Sequence, residues 1–283
     1  MNKTQFDRTA EDVGNIIAME HVNVTVPDQS MATFFYVSGL GFTRDPFVDF
    51  GPFNVWVNVG EQQFHLPTNT AQVLRGHVGV VVPDLPALAA RLGRIERRLA
   101  GTRFSYRERR GWVDVTCPFG NRIRCFAPAR QFGDMHLGIP YVQLDVGVGT
   151  TPGLARFYNE ILGAPAHVTR GTCTVSVGRH QTLRFAETRK KLPDYDGHHI
   201  AIYVADFSGP HSRLLQRGLI SEESDQHQYR FQHLVDPDSN EKLFELEHEV
   251  RSLFHPMYAR NLTNRNAAQS FGNYVKGRDA FVP

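Results

Sequence analysis

The stretch HVNVTVPD, residues 21–28, alternates apolar and polar positions and ends in a proline–aspartate pair. The same design returns as HVGVVVPD at 77–84, YVQLDVGV at 141–148 and HIAIYVAD at 199–206. Alternation of this kind marks a half-buried strand. The four copies start about 60 residues apart, and a fixed interval on that scale marks one supersecondary unit used repeatedly.

Each copy leads into a helix-like segment: SMATFFYVSGLGF, LPALAARLGRI, LARFYNEILGA and SGPHSRLLQRGLI. Glycines near the ends of these segments suit the position after a helix, where φ is positive. Short strand-like runs follow, such as FNVWVNVG and EQQFHLPT in the first copy and CTVSVG and QTLRFAET in the third. The unit reads β-α-β-β-β. At matching distances from the four starts stand His65, Arg124, Arg184 and Glu245, each in a terminal strand. The turn-rich CPFGNR and DPDSNEK precede the second and fourth of them, as tight reversals between strands require.

The bulk numbers exclude several classes. The chain has 283 residues, 41% apolar and 21% charged, with a net charge of +2. That balance makes neither nucleic acid nor an anionic membrane the main partner. The basic run RLGRIERRLA (91–100) reads as a solvated helix face. Three cysteines without CxxC spacing fit a reducing compartment. The first 20 residues lack the apolar core of a signal peptide, and no window reaches 18 consecutive apolar residues. A cytoplasmic location is expected.

The four βαβββ repeats, the helix ends FFYVSGLGF and RFYNEILGAP and the final strand DPDSNEKLFELE resemble the vicinal oxygen chelate superfamily over residues 18–249. That superfamily includes glyoxalase I, extradiol ring-cleaving dioxygenases and bleomycin-resistance proteins. The resemblance implies an α+β fold in which paired modules curl eight-stranded sheets into cups. Modules 1 and 2 would occupy 18–129, a linker 130–138, and modules 3 and 4 139–249, between extensions at 1–17 and 250–283. It further implies that metal ligands come from the first and last strand of each paired module. Those positions map onto His21 and His65, His77 and Arg124, Tyr141 and Arg184, and His199 and Glu245.

Two pairings are open. Neighbouring modules would collect His21, His65 and His77 beside Arg124. Pairing the first module with the fourth collects His21, His65, His199 and Glu245, and this arrangement is favoured because arginine stays protonated and cannot ligate. Glu247 shares a strand face with Glu245, so a register error of two residues would substitute it. Two histidines and a carboxylate suit non-haem Fe(II), with Mn(II), Zn(II) or Ni(II) as alternatives. The hydroquinone ring-cleaving branch is similar in joining first and last modules and in carrying a paired HH, here His198-His199.

The resemblance therefore implies a ring-cleaving dioxygenase acting on a small dihydroxylated aromatic compound with O2. A glyoxalase-like isomerase or lyase, or a non-catalytic binder of small molecules, is the alternative. His198 and His233 are the expected acid/base groups. His233 stands in RFQHLVDPD where the extradiol signature has a tyrosine, and His65 adds a ligand that the hydroquinone enzymes lack. His211, His248 and His255 read as surface residues. The aromatics Phe34, Phe35, Trp56 and Phe64 read as core or pocket wall. The tail 254–283 reads as a lid carrying Tyr258 or Phe271, or as a contact in a homo-oligomer.

Overall fold

The structure, a computed structural model, describes residues 6–265. The first module holds β1 (Ile16–Asn23), β2 (Thr43–Asp49), β3 (Asn54–Val59) and β4 (Gln62–Pro67), and the second β5 (Gly76–Val81), β6 (Ser105–Arg109), β7 (Trp112–Thr116) and β8 (Arg122–Phe126). The third holds β9 (Gly138–Gly147), β10 (Ala166–Thr169), β11 (Thr172–Ser176) and β12 (Thr182–Thr188). The fourth holds β13 (His199–Val204), β14 (Ile220–Asp225), β15 (Gln228–Val235) and β16 (Lys242–Arg251). Every module also carries one helix after its first strand: α1 (Gln29–Thr33), α2 (Leu85–Glu96), α3 (Thr151–Arg156) and α4 (Ser208–Gln216).

The aspartate that closes three of the four repeats explains why a helix starts there. Asp28 and Asp84 each accept a hydrogen bond from a backbone N–H three residues on, Met31 at 2.8 Å and Ala87 at 2.9 Å. Asp206 does the same for Gly209 at 2.9 Å. Asp28 and Asp84 are N-caps, each contributing about 1 kcal/mol, and Asp206 closes the turn that enters its helix. The sequence reads as one long helix in modules 1 and 3, but α1 and α3 pass into wider π-helical turns at Phe34–Gly39 and Phe157–Leu162. Leu40 N–H accordingly donates to Phe35 C=O, five residues back, at 2.9 Å. The wider turn lets consecutive aromatics, Phe35 with Tyr36 and Phe157 with Tyr158, all reach the core.

The strands form two eight-stranded sheets. One has the order β14-β15-β16-β13-β1-β4-β3-β2, joining the first module to the fourth. The other, β10-β11-β12-β9-β5-β8-β7-β6, joins the third to the second. The two halves of the chain, 18–129 and 139–249, are thus each divided between both sheets. Central pairing is antiparallel, β1 against β13 and β5 against β9. A single apolar core, including Val22, Phe64, Val80, Leu144, Phe185 and Ile202, fills the space behind the sheets. No helix among the described residues is long and apolar enough to cross a membrane. Cys117, Cys125 and Cys173 are buried and unpaired.

One expected surface residue is instead core. His248 is wholly buried, its Nδ1 2.8 Å from Leu246 C=O and its Nε2 2.8 Å from the Tyr158 hydroxyl. Alternation along β16 turns it away from its charged neighbours, so both ring nitrogens need partners inside. The start of the C-terminal extension packs on the first module. Asn264 bonds the backbone of Gly60 in both directions, at 2.8 and 3.0 Å, and Arg260 pairs with Asp45 at 2.7 Å. Tyr258 lies 5.0 Å from Tyr203, ring to ring; Phe271 lies outside the described residues.

Candidate metal centre

A fixed register links the key positions of every module, because the last strand runs parallel to the first. Asn23, two residues past His21, pairs with His65, and Gly79, two past His77, pairs with Arg124. Gln143, two past Tyr141, pairs with Arg184. Ala201, two past His199, pairs with Glu249. The same relation that selects His65 therefore selects Glu249 in the fourth module, and neither Glu245 nor Glu247.

Glu245 sits four residues, roughly 13 Å, back along β16. It is engaged there by Lys242 at 3.3 Å, Gln232 at 3.3 Å and His233 at 3.5 Å. The physical reason is the hairpin length. Strands β15 and β16 have 8 and 10 residues, whereas β3 and β4 have 6 each, so counting from His199 by the first module's spacing falls short.

His21, His65 and His199 do converge: one ligand nitrogen from each lies within 4.8 Å of the others. Nε2 of His21, both nitrogens of His65 and Nε2 of His199 are buried without a hydrogen-bond partner. Leaving a buried polar atom unpaired costs about 1–3 kcal/mol. One such nitrogen from each of the three rings, converging within 4.8 Å, fits a shared cation. Glu249 borders the group on the His199 side, its Oε2 3.6 Å from His199 Nε2 and its side chain only 4% exposed. Burial pushes the His65 imidazole down to about 2, and the neighbouring His21 and His199 act in the same direction. Burial likewise lowers His21. Neutral imidazoles with one carboxylate are the donors that Fe(II), Mn(II), Zn(II) or Ni(II) accept. The ring of Trp56 stacks on His65 at 3.9 Å and holds it in place.

No protein-family model matches the sequence, and no curated protein is similar to it. Among solved structures, a candidate dioxygenase from Bacillus subtilis superposes with a TM-score of 0.56 at 16% identity, over 84% of this chain and 86% of that one. Glyoxalase I from Zea mays does so with a TM-score of 0.56 at 16% identity, over 83% and 92%. The chain has the vicinal oxygen chelate fold. At such identities the likeness concerns the fold, and the reaction has to be read from the site.

Around the three histidines, this vicinal oxygen chelate cup contains further charged groups, one of which, Glu20, alternation along the strand does not reveal. A bulge between Met19 and His21 breaks the pairing of β1 with β13 and turns Glu20 to the same face as His21. His21 Nδ1–H donates to Glu20 Oε2 at 3.0 Å, because a carboxylate can only accept, and Nε2 is left as the ligand atom. The Tyr203 hydroxyl donates to Glu20 Oε1 at 2.9 Å. Arg251 bridges Glu20 and Glu249, the latter at 2.5 Å. Arg230 bridges Glu247 at 2.5 Å and Glu249 at 2.6 Å. Burial alone would raise the Glu249 carboxyl. The neighbouring His199 and the guanidinium charges of Arg251 and Arg230 outweigh that and hold it far below the usual range. The signal for these partners is the same-face series Glu245, Glu247, Glu249, Arg251 in KLFELEHEVR.

The two expected acid/base histidines lie elsewhere. His198 is wholly buried on the opposite face of the chain from His199, its Nδ1 2.6 Å from Asp196, with Tyr195 against its ring. A side chain enclosed in that way cannot meet a substrate arriving from solvent. His233 is 47% exposed on β15, paired opposite Glu245 rather than Glu249. His77 belongs to the other sheet, where its Nε2 is 3.1 Å from the Tyr141 hydroxyl.

Proposed function

We propose that this chain is a metal-dependent dioxygenase that opens the ring of a small dihydroxylated aromatic compound, with His21, His65, His199 and Glu249 as the metal ligands. Fe(II) is the ion that suits both the donor set and the reaction. When bound, it supplies a Lewis acid for a substrate hydroxyl and a path for electrons to O2. Four protein ligands leave positions on a six-coordinate ion for exogenous oxygens.

The observation that carries the reading is the clamp on the carboxylates around the three histidines. A glyoxalase-like isomerisation needs a base that takes a proton from carbon, and an effective base titrates near the working pH. Glu249 is held by Arg230 and Arg251, Glu247 by Arg230, and Glu20 by Arg251, Tyr203 and His21. None of the three is free to swing toward a substrate carbon. What these residues do instead is position: Glu20 sets the His21 tautomer, Trp56 fixes the His65 plane, and the two arginines lock Glu249.

The test is oxygen uptake by anaerobically purified, Fe(II)-loaded protein with a panel of catechols and hydroquinones. The expected result is O2 consumption coupled to loss of the aromatic absorbance. Isomerisation of a hemithioacetal under nitrogen, with no O2 uptake on any phenol, would replace the dioxygenase reading with the isomerase one.

A further inference from the structure

The second sheet repeats the geometry of the first but carries different chemistry at the same four places. Where the first cup has His21, His65, His199 and Glu249, the second has His77, Arg124, Tyr141 and Arg184, in the same register. Two guanidinium groups, a phenol and an imidazole cannot bind a cation together. We propose that the second cup binds the carboxylate of a small aromatic molecule.

Charge is the first support. Arg124 and Arg109 share one carboxylate, Asp114, at 2.9 and 3.3 Å, and Arg122 reaches Asp145 at 3.4 Å. Among the described residues no carboxylate pairs with Arg184; its Nε donates to the Thr182 hydroxyl at 3.1 Å, and its guanidinium lies 4.0 Å over the Tyr141 ring. This face of the sheet therefore has an excess of positive charge, and guanidinium forks match carboxylate oxygens. His77 does not offset the excess, since burial and the charges of Arg124 and Arg122 push it down to about 4 and keep it neutral.

Shape is the second. Tyr141 lies flat against Gly79, where a Cβ would come within 2.2 Å of its ring. Glycine at 79 thus lets the phenol cross the floor of the cup, with its hydroxyl on His77. Beside it Phe126 and Trp112 continue an aromatic wall, with ring separations of 6.2 Å and 6.4 Å, and Arg124 lies 5.4 Å over Trp112. Guanidinium groups next to aromatic faces suit a flat apolar body with one anionic end. This site is independent of the metal centre and of the reaction assigned to it.

Calorimetric titration of the full chain with benzoate, acetate and inorganic phosphate tests the proposal. Benzoate is expected to bind with one site per chain and more tightly than the other two. Arg184→Gln should weaken it roughly 10- to 100-fold, the usual size of a lost charge-assisted contact. Tyr141→Phe, which keeps the ring, should weaken it several-fold and serves if Arg184→Gln does not fold. His21→Ala should bind benzoate as the wild type does. Unchanged benzoate affinity in a folded Arg184→Gln or Tyr141→Phe protein overturns the proposal, as does phosphate or acetate binding as tightly as benzoate, or no benzoate binding at all.

Discussion

His21 donates a hydrogen bond from Nδ1 to the carboxylate of Glu20, its immediate neighbour in the strand, at 3.0 Å. Adjacent residues of a regular strand face opposite ways, so the contact exists only because β1 bulges there. The bulge turns a strand position into a ligand with its supporting carboxylate. Glu20→Gln should weaken metal binding by about 10- to 100-fold while the protein stays folded. Competition against a chelator measures this, and wild-type affinity in a folded Glu20→Gln protein would count against the orienting role.

The register relation separates two glutamates of one strand. Glu249→Gln should lose tight metal binding, whereas Glu245→Gln should retain it. Circular dichroism checks that Glu249→Gln remains folded, because it removes the carboxylate that Arg230 shares with Glu247 and Arg251 shares with Glu20. Metal loss in Glu245→Gln with retention in Glu249→Gln would return the site to the register that simple counting suggests.

The contrast between these positions shows what is legible in the chain before folding. His21 and His199 open their modules, and His65 lies on a strand reached through short connections, so the repeat interval picks out the three residues that converge. Glu249 escapes because β15 and β16 extend by several residues beyond their counterparts, and strand length is set by pairing rather than by local composition. Glu20 escapes because alternation is the only rule available, and a bulge suspends it. His198 shows the reverse failure: its place beside His199 suggests chemistry, whereas the strand's two faces separate the pair completely. The joining of first and fourth modules was legible because it alone gathers ligands without an arginine.

His248 and Tyr158 give a prediction about stability alone. Tyr158→Phe deletes the hydroxyl that serves His248 Nε2 in a fully buried site. The orphaned nitrogen should cost about 1–3 kcal/mol. Chemical denaturation should show a lower midpoint with an unchanged slope, and metal content should be that of the wild type. An unaltered midpoint would mean that water or another group takes the hydroxyl's place.

Acid sensitivity follows from His77, whose folded pKa is about 4 against 6.5 in its ordinary state. The unfolded chain takes up this proton at higher pH than the folded one does. Stability from this group is therefore complete above pH 6.5 and is lost as the pH falls toward 4. Because the residue is only partly buried, its contribution is about 1–2 kcal/mol. Denaturation midpoints at pH 7 and pH 4.5 should differ less in His77→Gln than in the wild type; equal differences would remove His77 as a source of acid lability.

His21, His65, His199 and Glu249 together should hold one divalent ion. Elemental analysis of anaerobically purified wild-type protein and of His21→Ala, His65→Ala, His199→Ala and Glu249→Gln measures it directly. Close to one iron-type divalent ion per chain is expected in the wild type. Content should be near zero in the His21, His199 and Glu249 variants and reduced in the His65 variant. Equal metal in all five proteins, or none in the wild type after loading, would contradict this site.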